Sequence, residues 1–184
     1  MIQLVYTRFG SKNGLLRLLL YRLLSKLGIY SRLQVSLPAD NQRLVFVCSG
    51  NICRSPLAEV YARSLGREAR SCGLDCSDGN PADPRARALA KKRGLTLDHH
   101  KTVNVKNFEF RDNDLVVLME PRHIREFQRK VGKDFSLALA GAYCEKPTPY
   151  IHDPFNCSLE FFENCERTIM NAVNSLCDQQ VKAK

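Results

Sequence analysis

Apolar positions along this chain recur with two periods, and the periods alternate. Leu44–Val47, closed by Cys48, is a short apolar run bounded by polar residues, the pattern of a strand buried on both faces. Apolar residues at helical spacing follow and predict a helix over Pro56–Arg70, then a short strand near Arg70–Gly73. The helical period returns over Asp83–Arg93 and stops at Gly94. Asp114–Met119 reads as a strand, Pro121–Val131 as a helix, Ser136–Ala140 as a strand and Ser158–Cys177 as a long final helix. Strands that alternate with helices predict an α/β fold, a three-layer sandwich whose central, mainly parallel four-stranded sheet is flanked by helices. There are no internal repeats and no low-complexity tracts.

Residues 1–42 form a separate compositional unit, so the chain divides into 1–42 and 43–184. Lys12 to Ser31 reads as a basic amphipathic helix. Leu15, Leu16, Leu19, Leu20, Leu23, Leu24 and Leu27 fall on one half of it, and Arg17, Tyr21, Arg22 and Ser25 on the other. Val35 to Gln42, with Pro38 and Asp40, reads as a linker. The first expectation is that the leucine face packs on the core domain or on a second subunit. The alternatives are a peripheral anchor on an anionic membrane and a surface for a protein partner, each through residues 12–31.

Composition narrows the class. A chain of 184 residues suits one core of ordinary size. No signal peptide is evident, and no run approaches the roughly 20 apolar residues that span a bilayer. Eight cysteines in a chain of this length, with no signal, read as reduced thiols in a cytoplasm and not as a disulfide scaffold. Cys72 and Cys76 are spaced like half a zinc site, but no second tight pair follows, so no metal or other cofactor is expected. The net charge is +9, and about half of the excess lies in residues 1–42, where six Arg and Lys face one Asp. No nucleic-acid-binding module accompanies it, so no nucleic-acid partner is expected.

The candidate chemistry sits where the first strand meets the first helix of residues 43–184, in Cys48-Ser49-Gly50-Asn51-Ile52-Cys53-Arg54-Ser55-Pro56. In open α/β sheets ligands bind outside the carboxyl ends of the strands. A small Gly-containing turn points several backbone N–H groups into one concavity, and the helix start adds partial positive charge. Arg54 adds a planar fork of donors suited to an oxyanion. Such a field favours the thiolate of Cys48. Gly50 lets the backbone close on the anion, Asn51 suits a left-handed position, and Ser55 either caps the helix or donates to the sulfur. His152-Asp153-Pro154-Phe155 offers a carboxyl group, Asp153, on a segment that Pro154 stiffens and holds extended.

The string CSGNICRSPLAE closely resembles the active-site loop of the low-molecular-weight protein tyrosine phosphatases. The resemblance continues through Asn80-Pro81-Ala82-Asp83-Pro84-Arg85, His100-Lys101, Asp114 to Glu120 and His152-Asp153-Pro154-Phe155, and covers roughly residues 43 to 180. It implies that residues 43–184 are a phosphatase domain of that family. It implies a phosphocysteine intermediate on Cys48, phosphoryl binding by Arg54 and the amides of Ser49, Gly50, Asn51, Ile52 and Cys53, and Asp153 as general acid and base. It further implies bracing by Asn51, donation from Ser55 to Cys48, and a redox role for Cys53, which can pair with the nucleophile. His100, with His99 as rival, resembles the histidine near the loop asparagine. Ile52 and Phe155 would wall the substrate slot. Phe155 stands where tyrosine is frequent, and Leu74, Asp75, Cys76 and Asn156 stand where some members have further aromatic residues. The implied partner is a phosphotyrosine-bearing protein, such as a bacterial tyrosine kinase. Asp83 reads equally as an orienting residue or as a helix cap, and His123 and His152 read as surface residues.

Three other readings use the same residues. Thiol-dependent arsenate reductase needs a cysteine relay that Cys72 and Cys76 do not obviously match. Protein arginine phosphatase tends to carry threonine at the position of Ile52. A non-catalytic phosphotyrosine-binding module has no need of an intact Cys48, Arg54 and Asp153.

Overall fold

A run such as Leu44–Cys48, apolar at every position, can be buried only between two layers, and it is the centre of the structure. The computed structural model describes residues 6, 7, 9–30 and 42–178. Helix α1 spans Lys12–Lys26, then β1 Leu44–Cys48, α2 Arg54–Ser64, β2 Ala69–Gly73, α3 Pro84–Lys92, β3 Leu115–Leu118, α4 Arg122–Val131, β4 Ser136–Leu139, a 3-10 turn Ala140–Tyr143, and α5 Leu159–Asp178. The four strands form one parallel sheet in the order β2-β1-β3-β4. In its register Leu44 stands beside Ala69 and Leu115, and Cys48 beside Gly73.

Alternation along each strand divides the core in two. Leu44, Phe46, Leu115 and Val117 face a layer that includes Leu57 and Ala58 of α2, Leu89 of α3 and Ile169 and Leu176 of α5. Val45, Val47, Val116 and Leu118 face the opposite way, toward Phe127 of α4. The expected three layers are present, with a wholly parallel sheet.

Two helices end earlier than the periodicity predicts, each before a glycine. α2 stops at Ser64 and not near Arg70, because Gly66 turns the chain at φ 82° and releases it into β2. α1 stops at Lys26 and not at Ser31, ahead of Gly28 at φ 77°. Ser31 and the predicted linker, apart from Gln42, lie outside the described residues.

The leucine face of α1 does not pack on the core domain, the first of the two expected surfaces. Leu16, Leu19, Leu20, Leu23 and Leu27 are exposed. The face turned to the domain carries the buried Gly14, with Leu18 and Tyr21 half-buried. Close approach decides this. Gly14 and Gly10 lie so near the ring of His152 that a Cβ would stand 3.2 Å and 2.5 Å from its atoms, and leucines cannot come that close. Tyr21 packs on Tyr150 with ring centroids 5.4 Å apart, and Asn164 of α5 donates to the Thr7 carbonyl.

Candidate active site

The turn between β1 and α2 wraps the sulfur of Cys48. Asn51 takes the left-handed backbone, φ 51°, alone among the described non-glycine residues. That conformation aims its N–H at Cys48 Sγ, 3.3 Å away, and Ser55 Oγ lies 3.1 Å from the same sulfur. Ser55 is therefore inside the first turn of α2, whose N-cap position is Cys53. The buried Asn51 side chain donates to Ser55 Oγ and Ser71 Oγ, and its Oδ1 accepts the Val103 N–H at 2.9 Å. Ser71 donates onward to Glu59. His100 Nε2 lies 2.7 Å from the Asn51 carbonyl oxygen. Gly73 backs the loop: a Cβ there would stand 3.0 Å from both Asn51 Cβ and the Ser49 carbonyl.

Arg54 opens α2 and is 1 % exposed. It donates to Glu120 Oε1 at 2.6 Å, to the Ile151 carbonyl at 3.0 Å and to Asp153 Oδ2 at 2.6 Å. Burial works against its charge, but Asp153, the Cys48 sulfur and Glu120 hold it more firmly protonated than an ordinary arginine. Burial likewise works against the Glu120 carboxylate, yet Arg54 and Arg122 hold it down to about 2. Asp153 is the more open of the two acids, with 34 % of its side chain exposed. Its Oδ1 accepts the Phe155 N–H, and Phe155 itself is exposed at the rim. Ile52 is half-buried on the loop.

Cys53 is buried, and that burial, with Asp83 and Cys48 nearby, pushes its thiol well up. Asp83 caps α3 through the Arg85 N–H, and its own N–H donates to the Ile52 carbonyl. Arg85 grips Asp83 and reaches the carbonyls of Phe155 and Cys157, so it ties the segment before α3 to the Asp153 loop.

The reading of His123 and His152 as surface residues is wrong. His123 is fully buried, with Nε2 3.1 Å from Ser49 Oγ and 3.6 Å from Glu120 Oε1. Its Nδ1 is buried without a hydrogen-bond partner among the described residues. An unpaired acceptor is tolerated better than an unpaired donor, so the proton belongs on Nε2. Burial pushes this histidine down to about 3. His152 is half-buried between Tyr150, Phe161 and the two glycines of the N-terminal segment.

Glu120, Arg122, Ser71 and Glu59 were not singled out from the sequence. A signal for Glu120 existed: it follows β3, a central strand, at the carboxyl end where the ligand loop lies. Among the described residues no group of three His, Cys, Asp or Glu could hold a metal ion.

Residues 43–184 match the family model described as low molecular weight phosphotyrosine protein phosphatase. The chain is similar to the low molecular weight protein-tyrosine-phosphatase of Streptomyces coelicolor, 33 % identical over 153 residues that span 71 % of this chain and 93 % of that one. Among solved structures it resembles the tyrosine phosphatase AmsI of Erwinia amylovora at 27 % identity and a TM-score of 0.67, covering 79 % of this chain and 95 % of that one. It also resembles the tyrosine phosphatase Wzb of Escherichia coli K30 in complex with sulphate, at 26 % identity and a TM-score of 0.65, covering 76 % and 98 %.

Proposed function

This chain belongs to the low molecular weight phosphotyrosine protein phosphatase family and is a protein-tyrosine-phosphatase, and on that premise we propose how its own residues perform the reaction. Cys48 is the nucleophile, Arg54 and the loop amides hold the phosphoryl group, and Asp153 moves the proton, all within a catalytic domain of residues 43–184. The observation that carries this reading is Arg54, which spans from the loop around Cys48 to Asp153, 99 positions away in sequence.

In the first step Cys48 Sγ attacks phosphorus, the S–P bond forms and the P–O(aryl) bond breaks. Asp153 gives its proton to the departing phenolate oxygen. The N–H of Asn51, the hydroxyl of Ser55 and the start of α2 support the sulfur before it attacks and again when the S–P bond breaks in the second step. Charge on the equatorial oxygens meets the Arg54 guanidinium and the amides of Ser49 to Cys53. In the second step Asp153 takes a proton from water as its oxygen attacks phosphorus. The S–P bond breaks and inorganic phosphate leaves. A phosphoryl anion and the Asp153 carboxyl group share the same Arg54 nitrogen, which places the proton donor beside the group it serves.

Ile52 and Phe155 are the walls for the aryl ring. His100 and Asn51 brace the loop. Cys53, on the same loop as Cys48, is the partner for reversible oxidation: a peroxide takes the Cys48 sulfur to its sulfenic acid, the Cys53 thiol displaces water from it to close a disulfide, and the thiols of a reducing cytoplasm reverse it. The natural partner is a phosphotyrosine-bearing protein, with a bacterial tyrosine kinase first to test, a reading supported by the bacterial relatives.

Cys48→Ser is expected to abolish hydrolysis of p-nitrophenyl phosphate while still binding phosphate. Asp153→Ala should slow it by roughly 10²–10⁴-fold. Undiminished turnover in either variant would sink the assignment. Turnover of phosphoarginine, or of arsenate with thioredoxin, in preference to the aryl ester would move the chain to a sister activity.

A further inference from the structure

The outer face of α1 has no role in the phosphatase reaction. Leu16, Leu19, Leu20, Leu23 and Leu27 occupy an arc of about 100° at 3.6 residues per turn, opposite the Gly14 face that meets the domain. These five and Ile29 are between 49 % and 67 % exposed. A contiguous apolar stripe of this kind marks a surface for a partner or a membrane.

Charge selects between the occupants. Lys12, Arg22 and Lys26 are exposed on or along one side of the stripe, and Arg17 lies beyond its other side. The chain has no acidic residue before Asp40. A second copy would bring the same cations against these, so self-association is opposed. An anionic lipid surface satisfies both halves of the pattern. The leucines enter the acyl boundary, while the long basic side chains lie over them and place their charges among the headgroups. No helix among the described residues is long and apolar enough to cross a membrane, so the contact is one of lying on the surface.

We propose that the outward leucine stripe of α1, with its flanking Lys and Arg, is a peripheral docking face for an anionic bilayer. The inner face stays on the domain beside Tyr150 and His152, so the bound enzyme is carried with its Asp153 loop next to the docking helix.

The chain contains no tryptophan, so Leu20→Trp in the full chain makes a single reporter on the stripe. Its emission should shift to the blue with phosphatidylcholine vesicles that contain phosphatidylglycerol. Apparent affinity should be at least about tenfold above that for phosphatidylcholine alone, and should fall as salt is raised. Leu19→Glu with Leu23→Glu, added to the reporter, should remove the shift and leave turnover of p-nitrophenyl phosphate in solution unchanged. No shift with any vesicle, equal shifts with both lipids, or a shift that follows protein concentration without vesicles would overturn the proposal. The last would assign the stripe to a second copy. The emission readouts do not depend on the catalytic assignment, so the two ideas fail separately.

Discussion

Arg54 and Glu120 form a pair that is almost wholly buried, and such a pair holds only when every donor and acceptor has a partner. Here Arg122 closes the remaining side of Glu120 and the Ile151 carbonyl takes part of Arg54. His123 completes the shell as a neutral ring against Ser49 and Glu120, and Arg54 and Arg122 further oppose its protonation. A histidine pushed down on folding contributes stability that is complete above its unfolded value, about 6.5. That contribution is lost as pH falls from there toward about 3. Glu120, held at about 2, adds its own loss only below the ordinary carboxylate range. From about pH 6.5 down to the ordinary carboxylate value near 4.5, stability should therefore fall by up to about 1.4 kcal/mol per pH unit through His123. His152, also lowered mainly by burial, contributes within the same window. His123→Gln should make the decline of melting temperature from pH 7 to pH 5 shallower without removing it. Equal slopes in the variant and the natural chain would show that His123 is not the group that takes up the proton.

The elements were legible where a single period held. β1, β3 and β4 match their apolar runs within one residue at each end, and β1 and β3, buried at every position, leave no polar residue to confuse the reading. The Cys48 loop was legible because its small residues, its arginine and its place between strand and helix all point to one chemistry. The surroundings of the loop were not. Glu120 and His123 reach it from the turn between β3 and α4 and Ser71 reaches it from β2, and spacing within one segment carries no sign of a contact with another. α1 failed for a related reason. Its leucines mark an apolar face, but two glycines that permit close approach chose the face that docks. That choice has a consequence for catalysis, since the glycines press on His152, the neighbour of Asp153. Gly14→Leu should lift α1 and loosen the Asp153 loop, because even a Cβ at this position would stand 3.2 Å from His152 Nε2 and leave no room for the rest of a leucine. Turnover of phenyl phosphate, whose leaving group needs a proton, should drop more than that of 2,4-dinitrophenyl phosphate, whose leaving group does not. The loss should stay below the roughly 10²–10⁴-fold effect of removing the acid. Equal losses on the two esters would mean that the helix supports the fold without positioning the acid.

Across the whole molecule the sheet keeps chemistry and anchoring at opposite ends. Cys48 and Glu120 lie at the carboxyl ends of β1 and β3. Arg43 and Asp114 immediately precede the same two strands. There Arg43 donates from Nε and from a terminal nitrogen to both Asp114 oxygens, at 2.8 Å and 2.7 Å. It also reaches the Glu109 carbonyl and lies over the Phe108 ring. Asp114 accepts the Arg111 N–H as well, so both of its oxygens are partnered in a dry setting. Breaking one side of such a pair leaves a buried charge alone and costs about 3–5 kcal/mol. Asp114→Ala should therefore lower the urea midpoint strongly. Arg43→Met with Asp114→Leu, which removes both charges and keeps apolar volume, should recover a large part of the loss. Neither change reaches the β1–α2 turn, so kcat and KM of the folded fraction with p-nitrophenyl phosphate should match the natural chain. If kcat fell while the protein stayed folded, strain would have to pass along β1 to Cys48, and the separation of the two ends would be wrong.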